Sequence, residues 1–198
     1  MRPGTLVTDA GSTKATIVAA WEKLRRRAGG VRGRFVGAHP VAGSHRRGPA
    51  AAKADLLTGR VTVVTPAAAT PPADVAAVAG FWSALGATVF TMPAREHDRI
   101  LAATSHAPHV IAAAVAAATP PEARRFTAGG WLETTRIAAG DPELWADILH
   151  DNRAAVARAL GRIAGMTDRL LAAIEADDRR RLVTLLARAK DDRDAVGS

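Results

Sequence analysis

A histidine followed by a proline, His39-Pro40, ends a short apolar run, Arg34 to Ala38, whose composition is that of a buried parallel strand. Proline disfavours helix in the residue before it and has no N–H to give a ladder, so the strand is expected to stop there. His39 is thereby held at the carboxyl end of a strand, where open α/β sheets keep their ligands. Gly37 and Gly43 flank it and leave room for backbone or ligand to approach. An imidazole at such a position serves either as a locally hydrogen-bonded strand end or as a group that exchanges a proton near neutral pH. Further along, Ser105 and His109 stand four apart, so one helical face carries both. His106 and His109, three apart, have the spacing of a metal-ligand pair. No third ligand stands at a suitable spacing, and no metal is expected.

The elements that position these residues follow from the order of patterns. Thr5 to Asp9 reads as a strand and Ala10-Gly11-Ser12 as a turn. A helix with Ser12 at its N-cap then runs from Lys14 to Arg27, with Ile17, Val18, Trp21 and Leu24 on its apolar face. Gly29-Gly30 stops that helix and the His39 strand follows. A short helical patch is expected around Ala50 to Leu57, then a strand at Val61 to Thr65. A helix capped at Thr70-Pro71-Pro72 reaches about Leu85, and a last strand covers Ala87 to Met92. Beyond Arg95 the pattern is helical throughout. Glu96 to Ala118 reads as one helix with Pro108 inside it. Thr119-Pro120-Pro121 and Asp141-Pro142 each open another. A long amphipathic helix follows through Leu144, Ile148, Val156, Leu160, Ile163, Leu170 and Ile174, with a position near Asn152 skipped. A shorter helix is capped at Asp177. The fold class is therefore α/β followed by all-α: the C-terminal half of a Rossmann-like parallel sheet over residues 1–93, then a helical domain over 94–198. The apolar seam from Leu144 to Ile174 exceeds what one chain covers, so a homodimer is expected.

Composition sets bounds. In 198 residues, 48% are apolar and 23% charged, and there is no cysteine, hence neither disulfide nor thiolate chemistry. Met1 to Thr5 lacks the apolar core of a signal peptide, so none is expected, and the longest apolar run, Val110 to Ala118, is far short of the ~20 residues that span a bilayer. A soluble, cytoplasmic protein without a membrane partner is expected. The net charge of +8 suits a small anionic substrate. The arginine clusters at 25–27 and 179–181 lack interleaved aromatics, so no nucleic acid is expected.

Four segments in order resemble the prephenate/arogenate dehydrogenase family of tyrosine biosynthesis: Thr8-Asp9-Ala10-Gly11-Ser12-Thr13-Lys14; Gly37-Ala38-His39-Pro40-Val41-Ala42-Gly43-Ser44; Glu96-His97-Asp98 leading into Ser105-His106-Ala107-Pro108-His109; and Gly129-Gly130-Trp131 through Thr135-Arg136-Ile137-Ala138, with Asp141-Pro142 and Trp145 behind. The resemblance implies an oxidative decarboxylation. Hydride leaves the hydroxyl-bearing ring carbon for NAD or NADP, and CO2 departs as the ring becomes aromatic. His39 would accept the hydroxyl proton, and Ser12 would hold that hydroxyl and the nicotinamide in register. Ser105, His109 and Arg136 would bind the substrate, prephenate or arogenate, with Arg136 clamping a carboxylate. The chain departs from the family pattern at His45, where an acidic residue is common, and at Leu132-Glu133, ahead of the arginine.

No Gly-x-Gly-x-x-Gly turn precedes the first strand. Met1 to Thr5 reads like a loop before an interior strand. A chain that begins late, inactive alone and weak in NAD(P) binding, is the first expectation. The alternative is a non-catalytic binding or dimerisation module derived from the same family.

Overall fold

The computed structural model describes residues 4–27, 33–43 and 52–197, so the Gly29-Gly30 helix stop and the Ser44-His45 pair lie outside the described residues. The chain divides into two compact units, Met1–Val156 and Ala157–Ser198.

The first unit is built on two small sheets. Strand β1 (Leu6–Val7) pairs parallel with β2 (Arg34–Phe35). The chain continues through Val36 into β3 (Gly37–Pro40), which pairs with β4 (Val61–Thr65), and β4 pairs parallel with β5 (Thr88–Thr91). The β3–β4 pairing is antiparallel, with His39 opposite Val63. This corrects the expectation of an all-parallel sheet.

The strand also runs through Pro40 rather than stopping before it, for a reason of register. Val41 N donates to Val61 O at 2.8 Å, which makes residues 37, 39 and 41 the hydrogen-bonded positions toward β4. The backbone nitrogens of 36, 38 and 40 point the other way, so the missing donor of Pro40 costs the ladder nothing. Val36 N uses Val7 O at 3.0 Å. Ala38 N, beyond the end of β1, uses a side chain, Asp9 Oδ1, at 2.9 Å. Gly37 owes its identity to packing: a Cβ there would lie 2.7 Å from Thr65 Oγ1.

Helices cover these sheets. Helix α1 (Ala15–Arg26) buries Val18 against Phe35, with Trp21 packed at the edge. Helix α2 (Pro72–Ala84) buries Val78 and Trp82 against Val36, Ala38 and Val64. It starts at Pro72 without a side-chain cap, so Thr70 does not fill the role expected of it. Turns over 54–59 replace the short helix expected before β4.

The 25 residues Ala94–Ala118 form one helical run whose most apolar 18 residues have a mean hydropathy of 1.5, enough by length and composition to cross a bilayer. No uninterrupted apolar segment has that length, but this helix does. Four of its titratable residues, His97, Asp98, His106 and His109, are buried among protein groups, while Arg95, Glu96 and Arg99 are exposed. The run is not uniform. Helix α3 (Ala94–Leu101) passes through a π-helical turn (Ala102–His106) into α4 (Ala107–Ala118). Pro108 accounts for the widening. Its ring would clash with the carbonyl four residues back and supplies no N–H, and the i−5 bond from Ala107 N to Ala102 O makes room.

After α4, a 3-10 turn (Pro121–Phe126), helix α5 (Gly129–Thr135) and a second 3-10 turn (Arg136–Ala139) lead to α6 (Pro142–Asp151). Trp131 Nε1 donates to Thr119 Oγ1 at 2.9 Å, tying α5 to the end of α4. Helix α7 (Arg153–Glu175) begins after Asn152, where the expected long helix is broken.

The second unit holds the rest of α7 and α8 (Arg179–Asp194). The cap of α8 is Asp178, whose Oδ1 accepts from Arg181 N at 2.9 Å, not the expected Asp177, which occupies the turn with φ 51°. Leu171, Ile174, Val183 and Leu186 stay half-exposed on these helices.

Candidate active site

A chain of three side chains starts at the predicted histidine. His39 Nδ1 lies 2.8 Å from His97 Nε2, and His97 Nδ1 lies 2.8 Å from Asp98 Oδ1. His97 is fully buried and His39 nearly so. The Asp98 carboxylate also accepts Lys14 N at Oδ1 and Ala15 N at Oδ2, each at 2.8 Å. Asp98, and not Ser12, therefore caps α1. An anion at a helix N-terminus is favoured by the free amides and by the dipole.

The donor pattern orients the whole chain. A carboxylate only accepts, so His97 carries its proton on Nδ1 and offers the Nε2 lone pair to His39. His39 then donates from Nδ1 and keeps Nε2 unprotonated, the form a general base requires. Burial first, then the nearby His97, Lys14 and His106, push the His39 imidazole down to about 3, against a smaller opposite pull from Asp9. Burial opposes ionisation of Asp98, but the His97 hydrogen bond and the two backbone amides outweigh it and hold the carboxyl below its usual range.

Asp9 joins the loop of Ser12 to the strand of His39. Its Oδ1 takes Ala38 N, and its Oδ2 takes Gly11 N at 3.0 Å and the Lys14 ammonium. Lys14 is completely buried. Burial lowers its pKa while the hydrogen bond and charge of Asp9, and the charge of Asp98, raise it. Thr13 Oγ1 donates to Asp151 Oδ2 at 3.2 Å and ties the same loop to α6. Ser12 sits inside this loop, partly exposed.

The other predicted residues lie on the π turn and beyond. Ser105 is half-buried in the π turn, and His109 is buried in α4. The His109 ring stacks on Trp145 with centroids 3.5 Å apart and planes 12° apart. Its Nδ1 is buried without a partner among the described residues. Gly140 closes around this stack, since a Cβ there would meet Trp145 Nε1 at 2.4 Å and His109 Cε1 at 3.2 Å. Arg136 is exposed and opens the 3-10 turn that Gly140 caps. Among the described residues no three His, Asp or Glu side chains converge on a metal position.

Sequence reasoning singled out His39 and His109 but gave no role to His97, Asp98, Asp9, Lys14 or Asn152. The adjacent His97-Asp98 pair was the available signal. The first amides of α1 are taken by Asp98.

The sequence and the fold both resemble those of known proteins. The model described as "Prephenate dehydrogenase, nucleotide-binding domain" matches residues 1–91, and "Prephenate dehydrogenase, dimerization domain" matches 93–188. The prephenate dehydrogenase of Bacillus subtilis is 33% identical over 197 residues, 96% of this chain but 52% of that protein. Two solved structures superpose well. Prephenate dehydrogenase from Aquifex aeolicus, in complex with hydroxyphenyl propionate and NAD+, gives a TM-score of 0.83 at 30% identity, over 96% of this chain and 67% of that one. Synechocystis arogenate dehydrogenase gives 0.81 at 27% identity, over 96% and 69%. The chain thus spans about half the length of the Bacillus subtilis relative. With both domain models laid end to end over nearly all its residues, the chain belongs to the prephenate/arogenate dehydrogenase family.

Proposed function

We propose that the protein takes part in the NAD(P)-dependent oxidative decarboxylation of prephenate or arogenate, with His39 as the general base. The observation that carries this reading is the His39–His97–Asp98 chain, which leaves His39 Nε2 free to accept a proton. When bound, the nicotinamide supplies the hydride acceptor. His39 takes the substrate's hydroxyl proton, and the positive charge that develops is relayed by hydrogen bonds toward the Asp98 carboxylate. Ser12, in the loop that Asp9 ties to Ala38, holds the hydroxyl and the nicotinamide in register. Ser105 and the unpartnered Nδ1 of His109 bind the substrate's polar groups, and Arg136 takes a carboxylate. Residues 1–93 then face the cofactor, while 94–198 bind substrate and pair with a second copy. The burial of His97, Asp98, His106 and His109 on the apolar helix Ala94–Ala118 favours a core helix of a soluble protein over a membrane span.

With no Gly-x-Gly-x-x-Gly turn in residues 1–198, we infer that this chain by itself holds NAD+ or NADP+ weakly. Calorimetric titration of the purified chain should give no micromolar binding. Replacing the matching half of the Bacillus subtilis enzyme with this chain should yield a chimera that forms CO2, reduced nicotinamide and an aromatic product from prephenate or arogenate. A folded chimera that binds the cofactor but turns over neither substrate would contradict the assignment.

A further inference from the structure

Residue 152 occupies a place where an aliphatic side chain is the natural choice. Ile148 and Val156, four residues to either side, are both buried, so position 152 falls on the same inward face. An asparagine stands there instead, itself buried, and the helix breaks at it, with φ −101° and ψ 20°. A carboxamide in such a place costs roughly 1–3 kcal/mol unless its groups are satisfied.

Here the amide is satisfied by two partners far off in sequence. Asn152 Nδ2 lies 2.7 Å from the backbone carbonyl of Asp98 and 3.1 Å from Nδ1 of His106. A carbonyl can only accept, so the nitrogen of the amide must face Asp98, and the second hydrogen on that nitrogen is left for His106. His106 Nδ1 is then an acceptor, and its ring proton sits on Nε2.

We propose that Asn152 is a positioning residue for the base relay: one carboxamide N–H pins the peptide of Asp98, and the other holds His106 as the Nε2-protonated tautomer. The site gains two things. Asp98 must receive His97, Lys14 N and Ala15 N together, which tolerates little movement of its backbone. The π turn begins four residues after Asp98 and would otherwise loosen that segment; Asn152 clamps it at Asp98 before the turn and at His106 at its end. His106 in turn lies edge-on to Trp145, the residue stacked on His109, so the clamp bears on both the proton-accepting and the substrate-holding parts of the site. Burial keeps the His106 ring neutral, lowered to about 4, with the charges of His97 and His109 acting in the same sense against that of Asp98.

The catalytic meaning of this rests on the reading of His39 as the base, but its test involves no turnover, so the two can fail separately. The probe is the two-bond 1H–15N correlation of the histidine rings in the purified, uniformly 15N-labelled chain, assigned with single histidine substitutions. At neutral pH the wild-type His106 should show an unprotonated Nδ1 and a protonated Nε2. In Asn152→Asp the side chain has no hydrogen to give, and the proton should move to His106 Nδ1. The His97 and His39 resonances should shift with it, in that variant and in Asn152→Ala. A wild-type His106 protonated on Nδ1 overturns the proposal without recourse to any variant. So does an Asn152→Asp protein, folded by circular dichroism, in which His106 keeps its tautomer or the His97 and His39 signals stay in place.

Discussion

Asp98 concentrates more roles than any other residue described here: it caps one helix, orients His97 and, through His97, sets the protonation of His39. Replacing it by alanine removes a cap, worth about 0.5–2 kcal/mol, and a buried charged hydrogen bond, worth about 1.5–3 kcal/mol. Chemical denaturation of Asp98→Ala should show a loss near the sum of these, whereas Ser12→Ala should change stability by less than about 0.5 kcal/mol, as expected for a side chain that caps nothing. Protons test the same residues. His39 and His106 are held at about 3 and about 4, below their ordinary value of 6.5. The unfolded chain therefore binds protons that the folded one refuses. Their contribution to stability is complete above pH 6.5 and is lost as pH falls toward the folded values. Denaturation midpoints followed downward from neutrality should fall from about pH 6.5, with His39 and His106 alone contributing a proton uptake on unfolding that approaches two near about pH 5. His39 was legible in the sequence because proline and glycine mark its surroundings. Asp98 was not, since nothing local says that a carboxylate in the third helix closes the end of the first.

At the scale of elements, the pattern of strands and helices could be read from apolar periodicity and from proline and glycine, but not the pairing directions. The antiparallel β3–β4 ladder depends on where Val41 and Val61 meet, a contact across twenty residues. The skipped position near Asn152 and the proline at 108 were visible as irregularities. Their meaning, a helix break and a π turn that face each other, needs the fold. Gly140 offers a direct test of how tightly these elements close. Gly140→Ala places a Cβ 2.4 Å from Trp145 Nε1, so the indole must move off His109. A stability loss of about 1–3 kcal/mol by denaturation is expected, typical of overpacking, with a visible change in tryptophan fluorescence.

For the whole molecule, the apolar seam expected from Leu144 to Ile174 is divided: Ile148 and Val156 are buried within the chain, while Leu144 on α6 and Leu171, Ile174, Val183 and Leu186 on α7 and α8 stay half-exposed. Sedimentation equilibrium should find a dimer at tens of micromolar, roughly the concentration at which obligate pairs persist, and Ile174→Asp with Leu186→Asp should shift it toward monomer. The central claim is that His39 accepts the substrate's proton while Arg136 only binds. It is tested most directly by comparing His39→Asn and Arg136→Ala in the chimera with the Bacillus subtilis relative. His39→Asn should lower kcat by ~10²–10⁴-fold with KM nearly unchanged, as for loss of a general base. Arg136→Ala should mainly raise KM, because a carboxylate contact made equally in ground and transition states is uniform binding. A His39→Asn chimera that turned over at the parent rate, or that changed only KM, would contradict it.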